Sequence, residues 1–284
     1  MPSLKSLRKR IATVRSTQQI TKAMKMVAAA RLRRATEAVE RGRPYAAKLT
    51  ELFAAVAAGV EAETQPLLAR RPERRIDLLV LSSDRGLCGG YNANLFRYVA
   101  SFLAERGGSE SAIAVVGRKG FDYYRRRKAR LIVHRLGILT TPPAQLATEL
   151  AAELTKRFAA AESDAAYLVY NRFRSAIAQV PTATRLLPVA TPESDAPPVD
   201  YLFEPERAAL LDRLLPRYVE ALITQSLLEA VASEHGARMT AMENATTNAS
   251  EMIDSLTLSM NRARQAAITK ELMEIVSGAE ALKG

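Results

Sequence analysis

No glycine interrupts this chain between Met1 and Arg41, and no proline between Ser3 and Arg43. Without the two strongest breakers, and with alanine, leucine and arginine abundant, such a stretch reads as one uninterrupted helix. Apolar or small residues recur within it at alternating spacings of three and four: Leu4, Leu7, Ile11 and Val14, then Ala28, Leu32, Ala35 and Val39. That is a heptad seam. Between the two runs the same register reads Gln18, Thr21 and Lys25, while Ile20, Met24 and Val27 form a stripe on a shifted face. Met24 and Lys25 thus mark a break in the seam. Ser3 suits an N-cap. Gly42 and Pro44 predict a kink, after which the pattern resumes at Leu49, Leu52, Phe53 and Val56.

The far end of the chain reads the same way. Residues from 205 to about 282 have helical character, with breakers at Pro216 and Gly236. Ile253, Leu256, Met260, Ala263 and Ala267 share one seam, and Ile268, Leu272, Ile275, Ala279 and Leu282 share another. At 1.5 Å per residue the two helices would run roughly 80 and 115 Å if straight.

The middle of the chain has another rhythm. Strand-like runs occur at Ile76–Ser83, Ala112–Gly117, Leu131–Arg135, Ala166–Phe173 and Val180–Val189, with helix-like segments at Asn92–Arg106, Lys119–Lys128 and Pro143–Ala161. Strands alternating with helices imply βαβ units and a mostly parallel sheet. The fifth strand follows the fourth too closely for a crossover, which predicts an antiparallel pair. A proline-rich stretch at 191–199 reads as a linker.

The expected fold class is therefore α/β plus a long coiled coil. The N- and C-terminal segments pair as an antiparallel two-helix coiled coil, and a Rossmann-like α/β domain of about five strands lies between them. The expected divisions are 1–60, 61–200 and 201–284. Neither terminal helix could bury its apolar stripe alone, since isolated helices draw most of their stability from packing.

Charge bears on what the chain meets. The first 48 residues carry 13 Lys/Arg against Glu37 and Glu40, which equals the formal net charge of +11 for the whole chain. Arg8, Lys9 and Arg10 form one cluster, and Arg31, Arg33 and Arg34 another. A pI near 9.9 suggests an anionic partner. Nucleic acid is one candidate, although aromatic residues for stacking are absent from this stretch until Tyr45. Cys88 is the single cysteine, so an intramolecular disulfide or a CxxC site is excluded, in keeping with a reducing compartment. No run of 18 apolar residues is present. The amphipathic pattern begins at once after Met1, so neither a signal peptide nor a cleavable presequence is expected.

Catalytic signals are weak. The segment from Ser82 to Asn92 is glycine-rich and sits where α/β proteins often bind phosphate, but it has neither G-x-G-x-x-G nor G-x-x-x-x-G-K-[ST]. A tight turn bringing helix to sheet is the preferred reading. Cys88 is expected to be a small packed thiol rather than a nucleophile, with Asp84 and Arg85 pairing or capping locally. His134 and His235 are the only histidines and show no metal-ligand spacing. No catalytic residue, cofactor or metal is expected.

Two long segments carry a family resemblance. The run Leu7-Arg-Lys-Arg-Ile-Ala-Thr-Val-Arg-Ser-Thr-Gln-Gln-Ile-Thr-Lys-Ala-Met-Lys-Met-Val-Ala-Ala29 resembles the start of the γ subunit of F-type ATP synthases. The run from Asn261 to Gly278 resembles that family's C-terminal signature. Ser82–Asn92 and Ala237-Arg-Met-Thr-Ala-Met-Glu-Asn-Ala-Thr match further segments in the same order.

The resemblance implies a rotor that itself makes no bond. Its coiled coil is the shaft inside a ring of three α and three β subunits, while its α/β domain, with the ε subunit, sits on the membrane c-ring. Proton flow turns ring and shaft, and the asymmetric shaft drives the β sites through successive states. The resemblance places Met24, Lys25, Arg264, Gln265, Thr269 and Glu271 where shaft meets ring, and gives Arg8, Lys9 and Arg10 the same surface. Arg31, Arg33 and Arg34 become a basic face for acidic segments of β. Tyr201, Phe203 and Glu204 become foot residues for ε or the c-ring. The implied location is the cytoplasmic face of a bacterial inner membrane, reached only through Fo. A basic coiled-coil adaptor for nucleic acid is the alternative.

Overall fold

The computed structural model describes residues 3–57, 65–190 and 206–281. Helix α1 spans Leu4–Ala57. A five-stranded sheet and three helices follow: β1 (Arg75–Leu81), α2 (Tyr91–Ala104), β2 (Glu110–Val116), α3 (Arg118–Arg126), β3 (Leu131–Arg135), α4 (Pro143–Ala159), β4 (Ala165–Phe173) and β5 (Gln179–Leu187). Helix α5 spans Arg207–Ala281. The linker expected at 191–199, the foot residues Tyr201, Phe203 and Glu204, and Leu282 all fall outside the described residues.

The contacts fall into two compact units. One is built from α1 up to Val27 and α5 from Met239 onward, and the other from Ala28–Arg238. Each terminal helix therefore serves both units.

In the second unit the strand order is β3-β2-β1-β4-β5. The first four strands pair in parallel, and β5 runs antiparallel to β4. Strand periodicity sorts the core into two layers. Leu78 and Val80 of β1 pack with Leu95, Val99 and Phe102 of α2. Leu79 and Leu81, pointing the other way, pack with Leu150, Leu154 and Phe158 of α4. That second layer also takes in Phe53 and Val56 of α1 and Leu211, Leu215 and Val219 of α5. Both sheet faces are covered, which is why β1 and β2 read as nearly unbroken apolar runs. The ends of the terminal helices that face the sheet are core elements of this unit.

Gly42 and Pro44 lie within the continuous span of α1, and Pro216 and Gly236 within that of α5. A proline removes one helical hydrogen bond, freeing the carbonyl four residues before it. Those carbonyls belong to Glu40 and Asp212, both solvent-exposed positions, so neither is stranded in the core. Gly42 lies where α1 and α5 approach closely: an added Cβ would stand 3.1 Å from Gln225 Oε1. A larger residue there would have to move the Gln225 amide by a few tenths of an ångström.

Candidate interaction site

The first unit is an antiparallel helix pair whose seam becomes polar midway. Leu7 and Ile11 are buried on α1, as are Met242 and Ala249 on α5. Three rungs make up the polar part. Gln18 Nε2 donates to Ser250 Oγ at 2.6 Å. The hydroxyls of Thr21 and Thr246 lie 2.8 Å apart. Lys25 Nζ donates to Glu243 Oε1 at 2.6 Å.

The seam therefore does not break at Lys25. It continues in the same register with hydrogen bonds in place of apolar contacts. On the shifted stripe, Ile20 and Val27 are 57% and 53% exposed, and Met24 alone is half-buried.

The cationic residues Arg8, Lys9 and Arg10 of this unit are exposed, as are Arg264, Gln265, Thr269 and Glu271 of α5. Beyond Ala267, α5 keeps large apolar side chains in solvent: Ile268 is 51% exposed, Leu272 57% and Ile275 72%. An exposed apolar run on an ordered helix marks a contact surface. Arg31, Arg33 and Arg34 belong to the other unit and are exposed there, with Arg33 pairing to Glu37 at 3.1 Å.

In the sheet unit the glycine-rich loop is packed down onto α5. Arg238 is held by Glu234 at 2.7 Å and donates to the Gly86 carbonyl at 3.3 Å. Tyr91 donates its hydroxyl to the Ala230 carbonyl. Cys88 is buried, and burial pushes its thiol pKa up, the opposite of what an attacking thiolate needs. Asp84 caps α3 by accepting from the Arg118 N–H at 3.0 Å, and also holds the Gly137 N–H. The loop docks helix to sheet, as its sequence suggests. Glu234 and Arg238 were not legible as part of it. At i,i+4 they resemble an ordinary surface pair, and only the fold buries Glu234 to 1% exposure.

Among the described residues no helix is long and apolar enough to cross a membrane, and no cluster of His, Cys, Asp and Glu could hold a metal. Paired terminal helices, polar rungs and an exposed apolar end define a coiled-coil protein that works through contacts with partners. A sequence profile of the family described as ATP synthase matches residues 3–282. The ATP synthase gamma chain of Geobacter sp. (strain M21) is 51% identical over 288 aligned residues, covering 100% of both chains. That of Moorella thermoacetica is 52% identical over 283, again covering 100% of both. A chain from the central stalk and c-ring structure of the Tetrahymena thermophila mitochondrial ATP synthase superposes with TM-score 0.62 at 28% identity, over 80% of this chain and 99% of that one. A chain from the Euglena gracilis OSCP/F1/c-ring structure shares the fold, with TM-score 0.69 at 21% identity over 98% and 94% of the two chains. This chain belongs to the ATP synthase gamma chain family.

Proposed function

We propose that the chain is the central rotor shaft of an F1Fo ATP synthase, carrying torque from the membrane c-ring to the catalytic β subunits. It thereby couples proton flow to ATP synthesis or hydrolysis. Full-length relatives near 50% identity support this reading, as does the fold shared with central-stalk chains. The observation that carries it is the helix pair itself: a seam indexed by polar rungs, continuing into a helical end whose apolar residues stand in solvent. A bearing surface needs that exposure, and a shaft needs helices that hold register. Nothing in the fold or the relatives favours the nucleic-acid adaptor.

The chain makes no bond itself in this reading; ATP chemistry belongs to the β subunits. Met24, Lys25, Arg264, Gln265, Thr269 and Glu271, with Arg8, Lys9 and Arg10, touch the ring of α and β subunits. The exposed face of Arg31, Arg33 and Arg34 meets acidic segments of β, an attraction that salt screens and that guides without locking. Tyr201, Phe203 and Glu204 remain the proposed contacts to ε or the c-ring. The chain lies peripherally at the cytoplasmic face of a bacterial membrane, held there by Fo. Affinity purification with identification of bound subunits tests the whole reading. The α and β subunits should co-purify, and recovery of the chain alone or with nucleic acid would overturn it.

A further inference from the structure

The sheet unit contains a cleft of about 860 Å3 that the rotor reading does not use as a cavity. Arg31 and Arg34 of α1, Arg85 of the loop after β1 and Arg118 at the start of α3 all line it. Asp84 is the one carboxylate among the lining residues, and its Oδ1 is already taken by the N–H groups of Arg118 and Gly137.

Some arginines elsewhere in this unit find acids, while others, such as Arg97 and Arg126, have none within 4.0 Å among the described residues. Arg75 pairs with Asp164, Arg135 with Glu149 and Arg157 with Asp77. Among the described residues, none of the four cleft guanidiniums has an acid within 4.0 Å. Four exposed arginines from three elements gather at one hollow, and a concentration of one sign of charge favours an anion there. His235 is another lining residue. Burial, Arg238 and Arg31 press its pKa down to about 4, so it stays neutral at pH 7.

The chemistry of the walls narrows the anion. Guanidinium forks match phosphate oxygens in a way that a point charge does not. Thr140 and Thr141 are also in the lining, the Thr140 hydroxyl being spent on the Gly137 carbonyl at 3.1 Å, and Ile138, Leu139, Leu228 and Val231 supply an apolar side. The volume falls within the roughly 300–1,000 Å3 of small-molecule sites and greatly exceeds what orthophosphate fills. The N-terminus of α3 adds no donors, because the Arg118 and Gly120 N–H groups are spent on Asp84 and Ser82. Side chains therefore make this site.

We propose that this cleft binds a small molecule bearing a polyphosphate group, with the phosphates on Arg31, Arg34, Arg85 and Arg118. The group could come from an inorganic chain or from a nucleoside triphosphate whose ring lies on the apolar side. The proposal concerns the sheet unit alone, and it shares Arg31 and Arg34 with the contact to acidic segments of β proposed above, so the two occupants compete for those side chains.

The test uses hydrogen exchange on this chain within the assembled complex, where nucleotide sites on other subunits do not confuse a local readout. Tripolyphosphate and a non-hydrolysable nucleoside triphosphate are titrated separately. Segments 28–40, 84–90 and 136–142 should gain protection together. The Arg34→Gln/Arg118→Gln variant should weaken that response by at least about tenfold, as expected from losing two charge-assisted contacts. Arg126→Gln, a charge outside the lining, should leave it unchanged. A tighter response to the nucleotide would identify a nucleotide, and equal responses an inorganic chain. Absence of protection with both probes overturns the proposal, as does protection that the double variant leaves intact. An acidic segment of a neighbouring subunit already filling the cleft would give the first of those results. If the double variant fails to assemble, each single variant should still weaken the response, and an undiminished response in both would be equally fatal.

Discussion

Arg157 shows what a single residue of this fold can be asked to hold. Its Nε donates to Asp77 Oδ2 at 2.9 Å and its Nη1 to Glu162 Oε2 at 2.6 Å, and Asp77 is buried to 1% on the first strand. Removing one partner of a buried pair leaves the other charge stranded, at about 3–5 kcal/mol. Arg157→Ala should therefore lower the denaturation midpoint sharply, whereas Asp77→Leu with Arg157→Met should recover most of the loss; equilibrium unfolding of the three chains checks both. A second residue couples stability to pH. Burial, then the charges of Arg238 and Arg31, depress the pKa of His235 from 6.5 to about 4. The unfolded chain thus binds the extra proton between those values, and stability contributed by His235 is complete above pH 6.5 and lost as pH falls towards 4. The loss is on the order of 3 kcal/mol at most. His235→Gln should flatten the difference in unfolding free energy between pH 7 and pH 4.5, measured against wild type so that the nearby Glu234 cancels. Neither residue could be read from the sequence. An aspartate in an apolar run and a lone histidine carry no local signal, because partner and burial are set by α4 and by the packing around α5.

At the level of elements, much was legible. A gap without breakers gave the first terminal helix, apolar periodicity running past Pro216 and Gly236 gave the last, and alternation of strand and helix gave the parallel sheet. The short connection from Phe173 to Gln179 gave the antiparallel fifth strand. The polar part of the seam was not legible. Gln18, Thr21 and Lys25 look like an interruption until the partner register supplies Ser250, Thr246 and Glu243. The extent of core in each terminal helix was hidden for a similar reason: Phe53 and Leu215 continue a helical stripe whether they meet another helix or a sheet. The Thr21–Thr246 rung allows a clean test. Thr21→Val alone leaves a part-buried hydroxyl without its cross-helix partner, and should cost about 1 kcal/mol. The double change with Thr246→Val should cost less than the sum of the two singles. A double-mutant cycle on thermal unfolding reads that coupling, and strict additivity would mean that the rung carries no interaction energy.

For the molecule as a whole, the proposed role turns on separating chemistry from transmission. Met24 is half-buried beside Lys25, whose ammonium is paired with Glu243 in a partly exposed contact. Such pairs add little to stability, roughly 0–1 kcal/mol. Met24→Lys puts an ammonium on the stripe beside that seam, at a position proposed to meet the ring of α and β subunits. The assembled complex should keep most of its ATP hydrolysis while proton pumping falls severalfold, and equal loss of the two would argue against a coupling contact at this position. The rungs carry one more implication. A pair of smooth greasy helices under twist can creep, one sliding along the other by a turn at a time, because apolar contacts re-form at each step. Cross-helix hydrogen bonds at Gln18, Thr21 and Lys25 find their mates at one setting only. They act as the teeth of a spline: slippage must strip all three before any can re-engage, so a load on either strand is delivered rather than dissipated.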